Sequence, residues 1–336
     1  MLIKNYFAAA NGFSGFRSYF GEIFKSEKFK QVYVLKGGPG TGKSSLMKRI
    51  ADTALKREID HDKIFCSSDP SSLDGVIVHT DSGDYALIDG TAPHERDAII
   101  PGAIDVLINI GENFDKMALV KRRDEILKLN SKKKDAYQNA YTMLKTAGII
   151  SQRIDEILKK HFSYKKAYEF VDSLLLDIDT TYTPTPCIAL ISAFGKNGRQ
   201  NVDAYQNFKH TRFLAGKHGE EKMILKILYT KLQHSYSTVS FDPLSNDVDG
   251  IAIGDVFFTT VGKANYKALD VSGIVDGVSE EELSYFEKRR DSLLGDAQEH
   301  FAAASLSHFE LEKIYSGAML FDKNEGLITQ IIKDIF

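Results

Sequence analysis

One stretch constrains this chain more than any other: QVYVLKGGPGTGKSSLMKRI, residues 31–50. A strand-like apolar run meets a glycine-rich loop, and apolar residues at helical spacing (Leu46, Ile50, Leu55) follow. Gly37, Gly42, Lys43 and Ser44 satisfy the pattern G-x-x-x-x-G-K-[ST]. The flanking elements matter as much as the loop, because the strand aims it and the helix N-terminus adds positive dipole charge. Backbone N–H groups from Gly38, Gly40, Thr41, Gly42, Lys43 and Ser44 can converge on phosphate oxygens, since glycine adopts the required angles cheaply. Pro39 has no N–H to give and stiffens the loop instead. The expected phosphate contacts are therefore Gly38, Pro39, Gly40, Thr41, Gly42, Lys43, Ser44 and Ser45. Lys43 is expected to reach the β- and γ-phosphates of ATP, and the Ser44 hydroxyl to take a place on Mg²⁺.

A loop of this kind calls for a carboxylate on the far side of the metal, at the end of an apolar strand. Asp89, closing YALID, is the first candidate and Asp69, closing IFCSSD, the second. Asp74, in SLDGV, reads as a turn residue. No glutamate follows Asp89, so the acidic pair that activates water in motor ATPases is missing there. Glu95 is a nearby substitute and His94 a further contact candidate. Arg122, with Arg123 in KRRDEIL, is the candidate for an arginine that reaches a γ-phosphate. The alternative for that pair is a solvated basic helix face with Lys132, Lys133 and Lys134.

The chain repeats itself. SAFGKNG echoes AAANGFSG, RFLAGKHGEEKMILKIL echoes YVLKGGPGTGKSSLMKRI, SFDPLSNDVDGIAI echoes CSSDPSSLDGVIV, and EKRRDSLL echoes VKRRDEIL, all in the same order. A tandem duplication accounts for this, with repeats over 1–180 and 187–336 and the linker TTYTPTPC (180–187) between them. GVIVHTDSGDYALIDG reads as a hairpin. Residues 112–178 read as a helical arm, interrupted at Gly148. The fold class expected is α/β: a P-loop NTPase with a mainly parallel sheet flanked by helices, in two tandem repeats each with a helical insert.

The second loop, GKHGEEKM, keeps Gly216, Gly219 and Lys222 in register with Gly37, Gly40 and Lys43. It places Glu221 at the position of Gly42 and Met223 at that of Ser44. A carboxylate repels phosphate, methionine offers the metal no hydroxyl, and DVFFTT ends in Thr259 and Thr260 where the first repeat has Asp89. Repeat two is therefore expected not to bind Mg-ATP, and to act as a structural or regulatory partner.

Composition narrows the remaining classes. A formal net charge of -3 gives no electrostatic footprint for nucleic acid or an anionic membrane. No apolar run approaches the roughly 20 residues needed to span a bilayer, and the N-terminus lacks a signal-peptide core. The two cysteines, Cys66 and Cys187, are too few for a disulfide framework. A cytoplasmic setting is expected.

LKGGPGTGKSSLMKRI, CSSDPSSLDGVI and LIDGTAPHERDAIIPGAIDVLINIG together resemble a family of uncharacterised bacterial P-loop ATPases built of two homologous halves, over nearly the full length. The resemblance implies ATP binding at the first loop and little more about task. Separately, LIDGTAP is similar to a strand-end pattern of nucleoside monophosphate kinases. The leading expectation is a Mg²⁺-dependent ATPase with one competent site. A phosphotransferase with a helical lid, acting on a nucleotide or small-molecule acceptor, is the alternative, as is a slow nucleotide-dependent switch with a protein partner.

Overall fold

The computed structural model describes residues 4–181, 184–204, 208–262 and 268–336. In the first half the order is β1 (Asn5–Phe7), β2 (Ala9–Gly12), β3 (Gly15–Ser18), α1 (Phe20–Ile23), β4 (Gln31–Lys36) and α2 (Lys43–Lys56). Then come β5 (His61–Phe65), β6 (Leu73–Thr80), β7 (Gly83–Asp89), β8 (Asp105–Asn109), α3 (Lys116–Lys121), α4 (Arg123–His161) and α5 (Tyr164–Leu175). The second half has β9 (Cys187–Ile188), β10 (Ser192–Gly195), β11 (Gly198–Asn201), β12 (His210–Ala215), α6 (Glu220–Leu232) and β13 (Thr238–Phe241). It closes with β14 (Val248–Ile253), β15 (Val256–Thr259), β16 (Ala268–Asp270), α7 (Glu280–Gly317) and α8 (Glu325–Ile335).

The duplication read from the sequence is a duplication of topology. One six-stranded sheet runs β1-β5-β6-β7-β4-β8, and the other, taken from its far edge, runs β9-β13-β14-β15-β12-β16. Each half also has a two-stranded hairpin, β2-β3 and β10-β11, and one long helix, α4 or α7. Both sheets are mixed rather than mainly parallel. β4 is parallel to β7 and β8, whereas β5-β6 and β6-β7 are antiparallel, with β6 and β7 forming the anticipated hairpin between Thr80 and Gly83. β12, β14 and β15 repeat this, with β12-β15 parallel and β14-β15 antiparallel. Inserting a hairpin beside the loop strand forces the antiparallel pairs.

By contact density the chain divides into two compact units, one of Met1–Arg17 and Ala140–Gln298, the other of Ser18–Asn139 and Glu299–Phe336. In the second of these, α2 buries Leu46, Met47, Ile50, Ala51 and Ala54, a stripe at helical spacing, in a core with Tyr33, Leu35, Val76 and Leu87. Leu55, expected on that stripe, is exposed. Ile331 and Ile335 from α8 complete the same core. At about 1.5–3 kcal/mol for each fully buried large aliphatic side chain, these two bury more energy than any surface contact of the unit. The other unit builds an equivalent core from α5, α6 and the β12–β15 strands, including Val171, Leu225, Leu228, Ile251 and Phe258.

The arm at 112–178 is helical, but Gly148 does not interrupt it, because α4 runs through from Arg123 to His161. Gly148 is there for close approach: a Cβ on it would lie 2.7 Å from that of Phe13. Of the anticipated linker, Tyr182 and Thr183 lie outside the described residues.

Candidate functional site

β4 is flanked by two parallel neighbours, β7 and β8, so the first glycine loop leaves the sheet at the carboxyl ends of three strands. That edge is where open α/β sheets form ligand crevices. The register pairs Leu35 with Asp89, which puts the end of β7 beside the root of the loop. Gly40 and Gly42 hold φ values of +70° and +90°, the left-handed region, and Gly42 is the residue from which α2 starts. Thr41 Oγ1 donates to the Gly38 carbonyl at 3.0 Å and tightens the turn.

Lys43 is buried beneath the loop. Its Nζ donates to the Gly37 and Gly38 carbonyls at 2.8 and 3.0 Å and stands 3.6 Å from Asp89 Oδ2. Asp89 Oδ1 accepts from the backbone N–H and the hydroxyl of Thr91, at 2.9 and 2.5 Å, which fixes the carboxylate's orientation. Ser44 Oγ accepts the Leu73 N–H at 2.9 Å, tying the start of α2 to the start of β6, while its own proton stays free to turn. Ser45 is exposed on the first turn. Asp69 lies in the turn before β6, where its Oδ1 accepts from the Ser71 N–H and hydroxyl.

Other candidates are placed differently. Asp74 is no turn residue: it sits on β6, buried, with Oδ2 3.1 Å from His94 Nε2, and His94 stacks on Phe20. Both are committed to holding the segment after β7 against the sheet. Glu95 is exposed between the buried His94 and Arg96. Arg122 caps the end of α3 and forms a two-pronged pair with Glu125 at 2.8 Å, both exposed. The sequence reading passed over Arg96, whose guanidinium bonds Ser26 Oγ at 2.8 Å and stands 3.5 Å from Asp105. Asp105 also accepts the Ile99 and Ile100 N–H groups, and this buried knot anchors the start of β8. An arginine inside an irregular loop has no periodicity to betray its burial.

Residues near the end of α7 wall the first loop. A Cβ on Gly40 would lie 2.5 Å from the Glu312 carbonyl oxygen and 3.0 Å from the Ser316 nitrogen. The same construction on Gly38 meets the Tyr315 ring at 3.7 Å and Phe114 at 3.8 Å, and on Gly42 the Phe321 ring at 3.6 Å. Phe114 and Tyr315 pack on each other with centroids 5.4 Å apart.

The second loop has filled its own cradle. Glu221 Oε2 accepts the Gly216 N–H at 3.1 Å and Glu220 Oε2 accepts the His218 N–H at 2.6 Å, so carboxylates hold the donors that a phosphate would need. Burial pushes the Glu221 carboxyl up. The ungapped register expected from the sequence fails here: α6 starts at Glu220 after the left-handed Gly219, as α2 starts at Lys43 after the left-handed Gly42. The second loop is therefore shorter, and Glu220, not Lys222, holds the helix position of Lys43. Lys222 pairs with the buried Asp242 at 3.1 Å, and Arg199 reaches Asp242 at 2.6 Å and Asp249 at 3.4 Å. Burial alone would raise Asp242, but Lys222 and Arg199 outweigh it and hold the carboxyl far below the usual range. Burial and the neighbouring Asp242 push Asp249 up to about 6. A pocket of about 200 Å³ remains, lined by Arg199, Asn201, Glu221, Lys222, Thr260 and Val261 with Gly262.

Comparison with protein-family models, curated proteins and solved structures finds no match. Among the described residues no three His, Cys, Asp or Glu side chains gather closely enough to hold a metal ion by themselves, and no helix is long and apolar enough to cross a membrane.

Proposed function

We propose that the first loop belongs to a P-loop nucleotide site, and that the protein is an ATPase with this one competent site. The observation that carries the reading is the meeting of Lys43, the first residue of α2, and Asp89, the last residue of the neighbouring strand β7, 3.6 Å apart and under a loop with two left-handed glycines. A cation and a carboxylate in that arrangement serve two parts of one ligand: the lysine the β- and γ-phosphates, the carboxylate a divalent cation.

The donor set fits Mg²⁺ and ATP. Magnesium keeps several waters and takes only one or two protein oxygens alongside phosphates, so Ser44 and Asp89 suffice without a dedicated protein cage. When bound, the metal neutralises charge on the phosphate oxygens. Lys43 must leave the Gly37 and Gly38 carbonyls to engage phosphate, and its neutralising partner Asp89 is already fixed by Thr91. Asp69 stands second for the metal, since its Oδ1 is spent on its own turn.

Titration calorimetry with Mg-ATP, followed by phosphate release without any acceptor, tests the reading. Lys43→Ala is expected to abolish binding, and Asp89→Asn to retain nucleotide but lose its magnesium dependence. Turnover surviving Lys43→Ala would place the site elsewhere. ADP formation only in the presence of an added acceptor would replace the ATPase by a phosphotransferase.

A further inference from the structure

We infer that Glu312, on α7, is the carboxylate that accepts a proton from the water attacking the γ-phosphate, the part that no glutamate next to Asp89 can play. The inference rests on the ATPase reading of the first loop.

Three observations converge. The first is contact: the α7 backbone at Glu312 and Ser316 presses on Gly40, and the Tyr315 ring covers Gly38. The second is periodicity. His308, Glu312 and Tyr315 are spaced by four and three residues, so they share the helix face turned to the loop. Glu310, two positions from Glu312, falls on a different face by the same spacing and bonds Lys313 at 2.9 Å. The third is neighbourhood. His308 Nε2 lies 3.5 Å from Glu312 Oε1 and holds the carboxyl below the usual range, and Lys43 stands close enough to add to the same effect, which sets the carboxylate within electrostatic reach of the loop's own lysine. Glu312 is half-exposed, which leaves room for a water beside it. Asp69 is the acid near enough to oppose it, and a metal or phosphate-bound lysine between them would relieve that repulsion.

The step balances simply. A water oxygen forms a bond to the γ-phosphorus of Mg-ATP as its proton passes to Glu312. The bond from the γ-phosphorus to the bridging oxygen breaks with its electron pair going to ADP, and Glu312 later returns the proton to solvent. His308 is a positioning residue: it orients the carboxylate and sets its acidity without touching the substrate.

Glu312→Gln keeps size and hydrogen bonding but removes the base. Its kcat for phosphate release should fall about 100-fold, within the usual range for a general base, with Mg-ATP affinity unchanged. Glu310→Gln, two residues away on another helix face, should turn over as the parent does. His308→Asn should move the acidic limb of the pH–kcat profile upward. Glu312→Gln with unaltered kcat would overturn the role of Glu312, even with ATP bound. A parent protein that binds no ATP would instead overturn the ATPase reading beneath it. Equal loss of affinity and kcat in Glu312→Gln would mark a wall residue and overturn the proposal as well.

Discussion

The Glu221 carboxylate accepts the Gly216 N–H at 3.1 Å, closing the second loop on itself with its own helix. Titration should therefore find one equivalent of Mg-ATP per chain, and Lys222→Ala should leave that number unchanged. A second equivalent lost on Lys222→Ala would show that Glu221 yields its place to phosphate. The same substitution removes one of two cations facing the buried Asp242, with Arg199 remaining, so a stability loss of about 1–2 kcal/mol is expected by urea denaturation.

Gly40→Ala combines two costs. The residue holds φ +70°, and its new methyl would meet the Glu312 carbonyl at 2.5 Å. Left-handed backbone costs about 1–2 kcal/mol and overpacking about 1–3 kcal/mol more. Gly102 holds φ +76° with nothing within 4 Å, so Gly102→Ala carries the first cost alone. Melting curves of the two variants should separate by the packing part, and equal melting points would mean that α7 gives way freely.

Gly148→Ala sets helix propensity against packing. Alanine is favoured inside a helix by about 0.5–1 kcal/mol, yet the added methyl would lie 2.7 Å from the Phe13 Cβ. Overpacking, at about 1–3 kcal/mol, should win. Because the clash involves the Phe13 Cβ and ring, Phe13→Ala should recover part of the loss, and a double-mutant cycle measures the coupling.

The pH dependence of stability should carry a contribution from His79. The Asp62 carboxylate beside it, reinforced by Asp84 at 3.0 Å, raises the imidazole above its ordinary value against the opposing effect of burial. A folded value above the unfolded one means that the stabilisation is fully present below about pH 6.5 and fades as pH rises through the folded value. His79→Gln should thus lose about 0.5–1 kcal/mol at pH 5.5, and the difference should shrink at pH 9. A difference growing with pH would reverse the assignment.

The sequence disclosed the strand–loop–helix around Lys43 and its echo after β12 because both depend on local spacing, but it set Lys222 against Lys43 because spacing alone does not show that the second loop is shorter. It disclosed the β6–β7 hairpin for the same reason, through the turn at Asp81 to Gly83. It did not disclose that Gly148 sits inside an unbroken helix, since a glycine reads alike as a break and as a close approach. Nor could spacing near residue 40 reveal Glu312 or Tyr315, which reach the loop from more than 270 positions along the chain. Arg199 and Asp242, a pair separated by 43 residues, escaped for the same reason.

Ile331 and Ile335 fill the core behind the first loop, so that core cannot close until the ribosome has released residues beyond 330. From the synthesis of GGPGTGKSS until that of α8, a nascent chain carries the loop with its hydrophobic backing incomplete. Contacts of such separation form late and slowly. Chains halted early would carry the loop's sequence without the packed core behind the sheet that gives it aim, which makes the arrival of α8 a condition for the geometry of a loop made long before it.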